Sequence, residues 1–570
     1  MQMTGSRIII ECLVERGVDV VFGYPGGTVL NIYDELYRNA DRIRHILTAH
    51  EQGASHAADG YARSTGKPGV VIATSGPGAT NLVTGIATAY MDSVPLVAIT
   101  GNVPLSLLGK DSFQEVDIAG VTMPITKHNF IVKDVRELAD TIRLAFEIAT
   151  TGRPGPVLVD ITKDVTAAWT EWVSAEGSAA SRAKTAPNHR FTVKSNRSVT
   201  ASELDDAAAL IAAAEKPFIY AGGGVIIADA ASQLREFAER LNAPCALSLM
   251  GHGAMPADHP LFTGMIGMHG TKASNMAAGA ADLLIAVGAR FSDRVVSKIS
   301  VFAKKAKILH IDIDPAEINK NVKSYTSLVG DVKEILTDLN ARIAPKTMSA
   351  WNGDIAAWKR ERPSSHETKK ALHPRFILET IHEKVGDEAF ITTEVGQHQM
   401  WTAQFYPFSK PRTFITSGGL GTMGFGTGAA MGVQIAHPEA QVVHIAGDGS
   451  FRMNCAELAT IVNYNLPILI IVFNNGTLGM VRQWQTMFYD KRYCQTTLDR
   501  PPDFVKLADA YGLPSYRARE PEEFRACLDA ALSHRGPALI ECVLDIDEKV
   551  LPMVPAGKPI DELILEPGEN

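Results

Sequence analysis

The chain has 570 residues, 46% of them hydrophobic and 21% charged, with a formal net charge of −8. That length exceeds a single domain and predicts three or four, at roughly 150 residues each, with enough apolar content for large cores. The acidic balance, with no basic patch interleaved with aromatics, argues against nucleic acid or an anionic membrane as partner.

The first helical pattern, SRIIIECLVERG, begins almost at Met1 and leaves no room for a signal or transit peptide. No apolar run reaches the roughly 18 residues of a membrane span. Cys12, Cys245, Cys455, Cys494, Cys527 and Cys542 are scattered without a CxxC or tight pair, the usage of reduced thiols in a cytoplasmic protein. After the first helix come a strand with a glycine turn (VDVVFGYPGG), a helix, the strand IRHILTAH, a helix from Glu51, a strand and turn (PGVVIATSGPGATN), a helix and the strand PLVAITGN. Such alternation specifies a doubly wound parallel sheet. The fold class is α/β, with a first domain over residues 1–165, a connector over 166–197 where Ala, Ser and Thr replace apolar periodicity, a second domain over 198–343, a charged, proline-containing connector over 344–372, a third domain over 373–547 and a C-terminal tail, 548–570.

Glu51 ends a short apolar strand and starts a segment with the small residues Ala54, Ala57, Ala58 and Ala62, so its carboxylate is placed to meet a ligand, or else to cap the helix. A zinc reading fails because His50 and His56 are six apart, not four. In the second domain, Gly222-Gly223-Gly224 follow a strand and suit either a phosphate or a tight turn, while Asp312 and Asp314 end another and suit a ribose hydroxyl or a helix cap. Gly419, Gly421 and Gly424 satisfy GxGxxG, but the acid expected after the following strand lies in a GDGS turn, which disfavours a dinucleotide there.

That turn belongs to the most informative stretch, from Gln441 to Trp484. The apolar run Val442–Ala446 leads to Gly447-Asp448-Gly449-Ser450, and a second run, Ile468–Phe473, leads to Asn474-Asn475-Gly476. A right-handed βαβ crossover brings Asp448 and Asn475 together at the carboxyl ends of adjacent strands, and two hard oxygens suit Mg²⁺ shared with a diphosphate. Gly447 and Gly449 allow backbone N–H groups to approach phosphate oxygens, and Asn454 with Glu457 three residues later reads as a capping box.

The spacing of GDGS and NN resembles the thiamine-diphosphate signature. The resemblance implies Mg²⁺ held by Asp448, Asn475 and the carbonyl of Thr477, with Glu51 against the aminopyrimidine N1′, an exchange that a partly buried glutamate with a raised pKa suits. Across residues 4 to 560 the chain resembles the catalytic subunits of the acetohydroxyacid synthase (acetolactate synthase) family, through GYPGG, HEQGA, GPGATN, SFQE, ITKHN, GRPGPVLVD, GMHG, GARF, HIDIDPAEI, GLGTMGFG, GDGS, NN, GMVRQWQ and LPMVP. The family's fold makes the three domains pyrimidine-binding, FAD-binding and diphosphate-binding, with the tail closing over the site. Its chemistry decarboxylates pyruvate on thiamine diphosphate and adds the hydroxyethyl unit to a second 2-oxo acid, pyruvate or 2-oxobutyrate, for valine, leucine and isoleucine biosynthesis.

The same resemblance assigns Glu51, Gln114 and Lys163 to catalysis. It assigns thiamine diphosphate to Gly76, Asn81, Gln397, His398, Gly421, Met423, Gly447, Asp448, Gly449, Ser450, Asn475, Gly476, Thr477, Leu478, Gly479 and Met480, with Met423 beneath the bent cofactor. FAD falls to Arg153, Gly222, Gly223, Gly224, Met268, His269, Gly270, Gly288, Arg290, Arg294, Asp312 and Asp331, and substrate to Gly27, Phe113, Met480 and Trp484, the last against the acceptor's extra methyl. A homodimer or homotetramer with active sites between chains is implied, with a small regulatory subunit as a further partner. Two departures stand out: Thr427-Gly428, where Leu-Pro is common and a looser helix start follows, and Lys110 and Ser112, where Thr and Ala are frequent. The alternatives are a fermentative acetolactate synthase without FAD, another thiamine carboligase or oxidase, or a non-catalytic nucleotide-binding scaffold.

Overall fold

The structure is a computed structural model that describes residues 1–174, 199–361 and 372–566. These fall into two compact units, one made of residues 1–174, 419–439 and 454–466, the other of 199–361, 372–418, 440–453 and 467–566.

In the first unit, β1 (Gln2–Thr4) precedes β2 (Val20–Tyr24), β3 (Arg44–Leu47), β4 (Gly69–Ala73), β5 (Leu96–Asn102), β6 (His128–Val132) and β7 (Pro156–Thr162), and β8 (Trp169–Glu171) returns to pair antiparallel with β1. Strands β2 to β7 form an all-parallel sheet in the order β3-β2-β4-β5-β7-β6. Runs such as Val70-Val71-Ile72-Ala73 are buried on both faces, which is why they read as continuous apolar stretches and not as alternation. The short strand β8 falls inside the connector expected from residue 166, and the rest of that connector, from 175, lies outside the described residues.

The helix Glu51–Thr65 packs on the helix Phe425–Ala436 of the same unit through small residues. A Cβ on Gly60 would collide with the Ala429 carbonyl, and one on Gly432 with the Ala57 carbonyl. Gly428 belongs to the same contact: a Cβ there would stand 2.7 Å from His56 Cβ and 2.9 Å from the Gly53 oxygen. The looser helix start expected at Thr427-Gly428 is therefore absent; the helix runs unbroken and Gly428 lets it close on its neighbour. Gly432→Ala is expected to cost about 1–3 kcal/mol by forcing the two helices apart, read as a lowered thermal midpoint.

The second unit carries two further parallel sheets. Strands β9 (Pro217–Ala221), β10 (Cys245–Leu247), β11 (Phe262–Met265), β12 (Leu283–Val287), β13 (Lys307–Asp312) and β14 (Thr326–Val329) lie in the order β11-β10-β9-β12-β13-β14. Alternate residues feed two separate cores, Ile219, Ile285 and Val287 on one face and Phe218, Tyr220 and Leu284 on the other. The connector expected over 344–372 is structured in its first half: Ser349–Arg360 is a helix whose Trp351 and Ile355 are buried in the second of these cores, with Trp351 Nε1 donating to the Pro217 carbonyl at 3.0 Å. Residues 362–371 of that connector lie outside the described residues.

Strands β15 (Phe390–Thr393), β16 (Phe414–Ile415), β17 (Val442–Gly447), β18 (Ile468–Asn474), β19 (Ser515–Ala518) and β20 (Ala538–Val543) form the third sheet, β16-β15-β17-β18-β20-β19. Numbered within each sheet, its order is that of the first. Strand order reverses between β2 and β4, between β9 and β12, and between β15 and β17; ligands of open parallel sheets bind at such switch points. Among the described residues no helix is long and apolar enough to cross a membrane.

Candidate functional site

At the third sheet's switch point, Gln397-His398 open the helix Gln397–Phe405 after β15, and Asp448 opens the helix Asp448–Asn454 after β17. Because Gly447 pairs with Phe473 of β18, Asp448 and Asn475 lie beyond the ends of neighbouring strands, as their spacing predicts. Asp448 is buried; Oδ1 accepts from the Gly449 amide at 2.9 Å, while Oδ2 has no hydrogen-bond partner. Burial pushes its carboxyl up to about 7 against the pull of the Gly449, Gly476 and Thr477 amides. A buried carboxylate with one oxygen unmatched is the donor a cation requires.

The neighbouring groups are held in place. Asn475 Nδ2 donates to Gln397 Oε1 at 3.0 Å, so its amide oxygen is the end left to accept, and Gln397 Nε2 donates to Gln483 Oε1 at 3.1 Å and to the Glu548 carbonyl at 2.8 Å. A Cβ on Gly479 would overlap Gln397 Oε1, one on Gly447 would come within 2.6 Å of the His398 ring and one on Gly449 within 2.6 Å of Leu478, so these glycines admit side chains that order the loop. Ser450 Oγ lies 3.3 Å from the Gly447 amide, and Thr477 Oγ1 donates to the Thr496 carbonyl at 2.7 Å. Among the described residues no group of three or more His, Cys, Asp or Glu could hold a metal, so a cation here would rest on one carboxylate with amide and carbonyl oxygens, a set that suits Mg²⁺ and not Zn²⁺. Met480 packs against the sheet's core, and Trp484, half-buried on the helix Gly479–Phe488, meets Phe488 edge-on at 5.3 Å.

In the first unit Glu51 is the first residue of its helix, and its Oε2 accepts from Asn81 Nδ2 at 2.9 Å. A Cβ on Gly78 would stand 3.2 Å from Glu51 Oε1, and one on Gly76 (φ +62°) 2.9 Å from Gln114, itself at φ +59°. Glu51, Gly76, Asn81 and Gln114 thus gather at one end of the first sheet. Lys163 opens a short helix after β7, Phe113 is 88% exposed, Gly27 is exposed, and Gly421 (φ +69°) and Met423 precede the Phe425–Ala436 helix.

At the second sheet's switch point Gly222 and Gly224 pass against Gly288, where a Cβ on Gly224 would stand 2.7 Å from Gly288 Cα; Gly223 faces Met250. The two strand ends pass in a backbone-to-backbone contact that only glycine allows. Asp312, at the end of β13, accepts from the Asp314 amide, and Asp331 caps the helix Val332–Arg342. Tyr220 hydroxyl donates to the Arg290 carbonyl, and the Met268 amide to the Arg294 carbonyl. His269 Nδ1 lies 3.2 Å from the Pro552 carbonyl and the Val554 amide donates to the Met268 carbonyl, so the tail's start is anchored beside Gly270. Arg153 lies in the other unit, its Nε on Ser93 Oγ at 2.8 Å.

The capping box expected at Asn454 and Glu457 does not form. Asn454 Nδ2 donates to the Gly424 carbonyl, and Glu457 accepts from the backbone of Ala49 and His50, because a partner distant in sequence outcompetes the local one. Sequence reasoning also missed the buried Glu394 and His444, 3.8 Å apart, with Thr392 Oγ1 3.0 Å from His444 Nδ1. Burial holds His398 and His444 neutral, each down to about 3. The unfolded chain protonates both near pH 6.5, so it binds more protons than the native chain between about pH 6.5 and 3, and stability falls as pH falls through that window. At pH 5 each is expected to cost about 2 kcal/mol relative to neutral pH; a thermal midpoint unchanged between pH 7 and 5 would contradict this.

Comparison with known proteins agrees with this layout. Residues 3–121 match the thiamine pyrophosphate enzyme N-terminal TPP binding domain, 204–339 the central domain and 394–542 the C-terminal TPP binding domain. The chain is 47% identical over 572 residues to a probable acetolactate synthase large subunit of Methanocaldococcus jannaschii, covering 99% of this chain and 95% of the relative. It is 44% identical over 571 residues to the acetolactate synthase isozyme 2 large subunit of Escherichia coli, covering 99% of each, and 47% identical over 580 residues to the acetolactate synthase large subunit IlvB1 of Mycobacterium tuberculosis, covering 99% and 91%. The chain therefore belongs to the acetolactate synthase large-subunit family of thiamine-diphosphate enzymes.

Proposed function

We propose that the chain makes acetolactate, joining the two-carbon unit left by decarboxylation of pyruvate to a second 2-oxo acid, pyruvate or 2-oxobutyrate, at the entry to valine, leucine and isoleucine synthesis. The observation that carries this reading is the buried Asp448 with its unmatched Oδ2 at a switch point, in a chain whose relatives are acetolactate synthases over nearly their whole length. Thiamine diphosphate, when bound, supplies the electron sink for decarboxylation and carbon–carbon bond formation.

The chain's own residues divide the remaining work. Asp448, Asn475 and the Thr477 carbonyl would hold Mg²⁺, and the amides from Gly447 to Ser450 and from Gly476 to Met480 would take the diphosphate, with Gln397 fixing the Asn475 side chain. Glu51 would hold or move a proton at its carboxylate facing the pyrimidine, and Asn81, donating to Oε2 at 2.9 Å, would keep that carboxylate in line. Met423 would support the cofactor, with Gly421 beside it; Gly27, Phe113, Gln114 and Lys163 would line the approach of the substrate. FAD is assigned to the strand ends at Gly222–Gly224 and Gly288, with Arg153, Met268 to Gly270, Arg290, Arg294, Asp312 and Asp331. Active sites complete themselves between chains of a homodimer or homotetramer, with a small regulatory subunit as partner. A cytoplasmic location accords with six cysteines that form no disulfide among the described residues.

The test is acetolactate formation from pyruvate with thiamine diphosphate and Mg²⁺, with and without FAD, followed by competition with 2-oxobutyrate. Activity that requires FAD and favours 2-oxobutyrate supports the reading; activity indifferent to FAD removes the second-sheet assignment, and no acetolactate removes the whole. Trp484→Leu is expected to lower the preference for 2-oxobutyrate about 10-fold, the scale of one methylene contact, with total turnover less affected. Unchanged product ratios would remove Trp484 from the acceptor pocket.

A further inference from the structure

The carboxylate of Glu457 is fully buried and has three donors. The Ala49 amide donates to Oε2 at 3.0 Å, the His50 amide to Oε1 at 3.1 Å and Thr460 Oγ1 to Oε2 at 2.7 Å. The first two are successive backbone groups, each taken by a different oxygen, and the residue that follows them is Glu51. The grip is reinforced at both ends. The Leu47 amide, at the end of β3, donates to the Tyr464 hydroxyl at 2.9 Å, so the segment 454–466 captures one amide of that strand end and two of the turn that leads to the Glu51 helix. On the helix side, a Cβ on Gly53 would overlap the Glu457 carboxylate, so that glycine leaves the space the side chain fills. A helix cap would need none of this: His50 Nδ1 already accepts from the Gln52 amide at 3.1 Å and serves as the N-cap.

Burying a carboxylate is costly unless its oxygens are matched, and here every donor but one belongs to the turn that presents Glu51. We infer that Glu457 is a positioning residue for Glu51, its two oxygens clamping the strand-to-helix turn so that the glutamate meets the cofactor at one distance and angle. The inference rests on the reading of Glu51 as the group that exchanges a proton with the pyrimidine. Glu457 acts through the backbone of residues 49 and 50, whose amides donate to its carboxylate.

Glu457→Gln tests it in the full chain loaded with thiamine diphosphate and Mg²⁺. Glutamine offers one oxygen for two amides and sets an NH₂ group against the other. The readout is the rate at which the thiamine C2 proton exchanges with deuterium, followed by acid quench and proton NMR, beside kcat and KM for pyruvate. Exchange and kcat are expected to fall together about 10- to 100-fold, the scale of a misplacement near 1 Å, with KM within about 2-fold. A folded variant that exchanges at the wild-type rate overturns the inference, and so does a variant that melts earlier with its exchange rate unmoved. Thr460→Val carries the test if Glu457→Gln does not fold: losing one donor to the same carboxylate is expected to slow exchange about 2- to 5-fold, and unchanged exchange overturns the clamp. Glu51→Gln separates the two claims. If it exchanges normally, the role of Glu51 itself fails; if it is dead while Glu457→Gln is normal, only the positioning role fails.

Discussion

Glu51→Gln is expected to lower acetolactate formation by about 10²- to 10⁴-fold while the chain stays folded, the range that general acid–base catalysis supplies. Glutamine matches the side chain in size and still accepts from Asn81 Nδ2, now 2.9 Å from Glu51 Oε2, but it neither takes up nor delivers a proton at neutral pH. The stability cost is small. A carboxylate at the first position of the Glu51–Thr65 helix interacts favourably with its N-terminal dipole, and losing the charge there costs about 0.3–1 kcal/mol. Turnover measured beside circular dichroism and thiamine diphosphate binding separates the outcomes. A folded variant that retains more than a tenth of wild-type turnover contradicts the proton-exchange role, and one that fails to fold makes Glu51 a structural cap.

The framework of this site was legible where chemistry and local pattern coincide. Asp448 and Asn475 each end a long, doubly buried apolar strand, so composition alone places β17 and β18 and topology then pairs their ends. Shorter strands escaped that logic: β10 has three residues and β16 two, too few for a period, and each is recognisable only from the neighbour it pairs with. The helix Ser349–Arg360 was hidden by its exposed charges, although Trp351 and Ile355 mark its buried side. Glu457 shows the deeper limit. Three residues from Asn454 it has the spacing of a capping box, yet its backbone partners lie 408 and 407 positions away, and no local rule weighs a donor that distant. Gln397 is similar, because its link to Asn475 spans 78 positions and exists only once β15 and β18 flank β17.

Asp448→Asn is expected to abolish Mg²⁺-dependent retention of thiamine diphosphate, with activity lost at cofactor concentrations that saturate the wild type. The substitution keeps the shape and puts a neutral amide where Oδ2 stands unmatched; neither end of that amide replaces an anionic oxygen for a hard dication. Stability should move the other way. The carboxylate is 2% exposed with one oxygen lacking a protein donor, an arrangement that without Mg²⁺ costs on the order of 1–3 kcal/mol, so removing the charge should leave the midpoint measured without Mg²⁺ unchanged or higher. A site tuned to bind a cation is strained without it, and relief of that strain is the signature of a functional group over a structural one. Titrating Mg²⁺ and thiamine diphosphate while following both the thermal midpoint and activity decides the matter. A wild-type midpoint that rises with the two ligands, beside a variant midpoint indifferent to them, identifies Asp448 as the ligand. A variant that binds both as tightly as the wild type, or one that melts several degrees earlier without them, would instead make Asp448 part of the scaffold that shapes the βα turn.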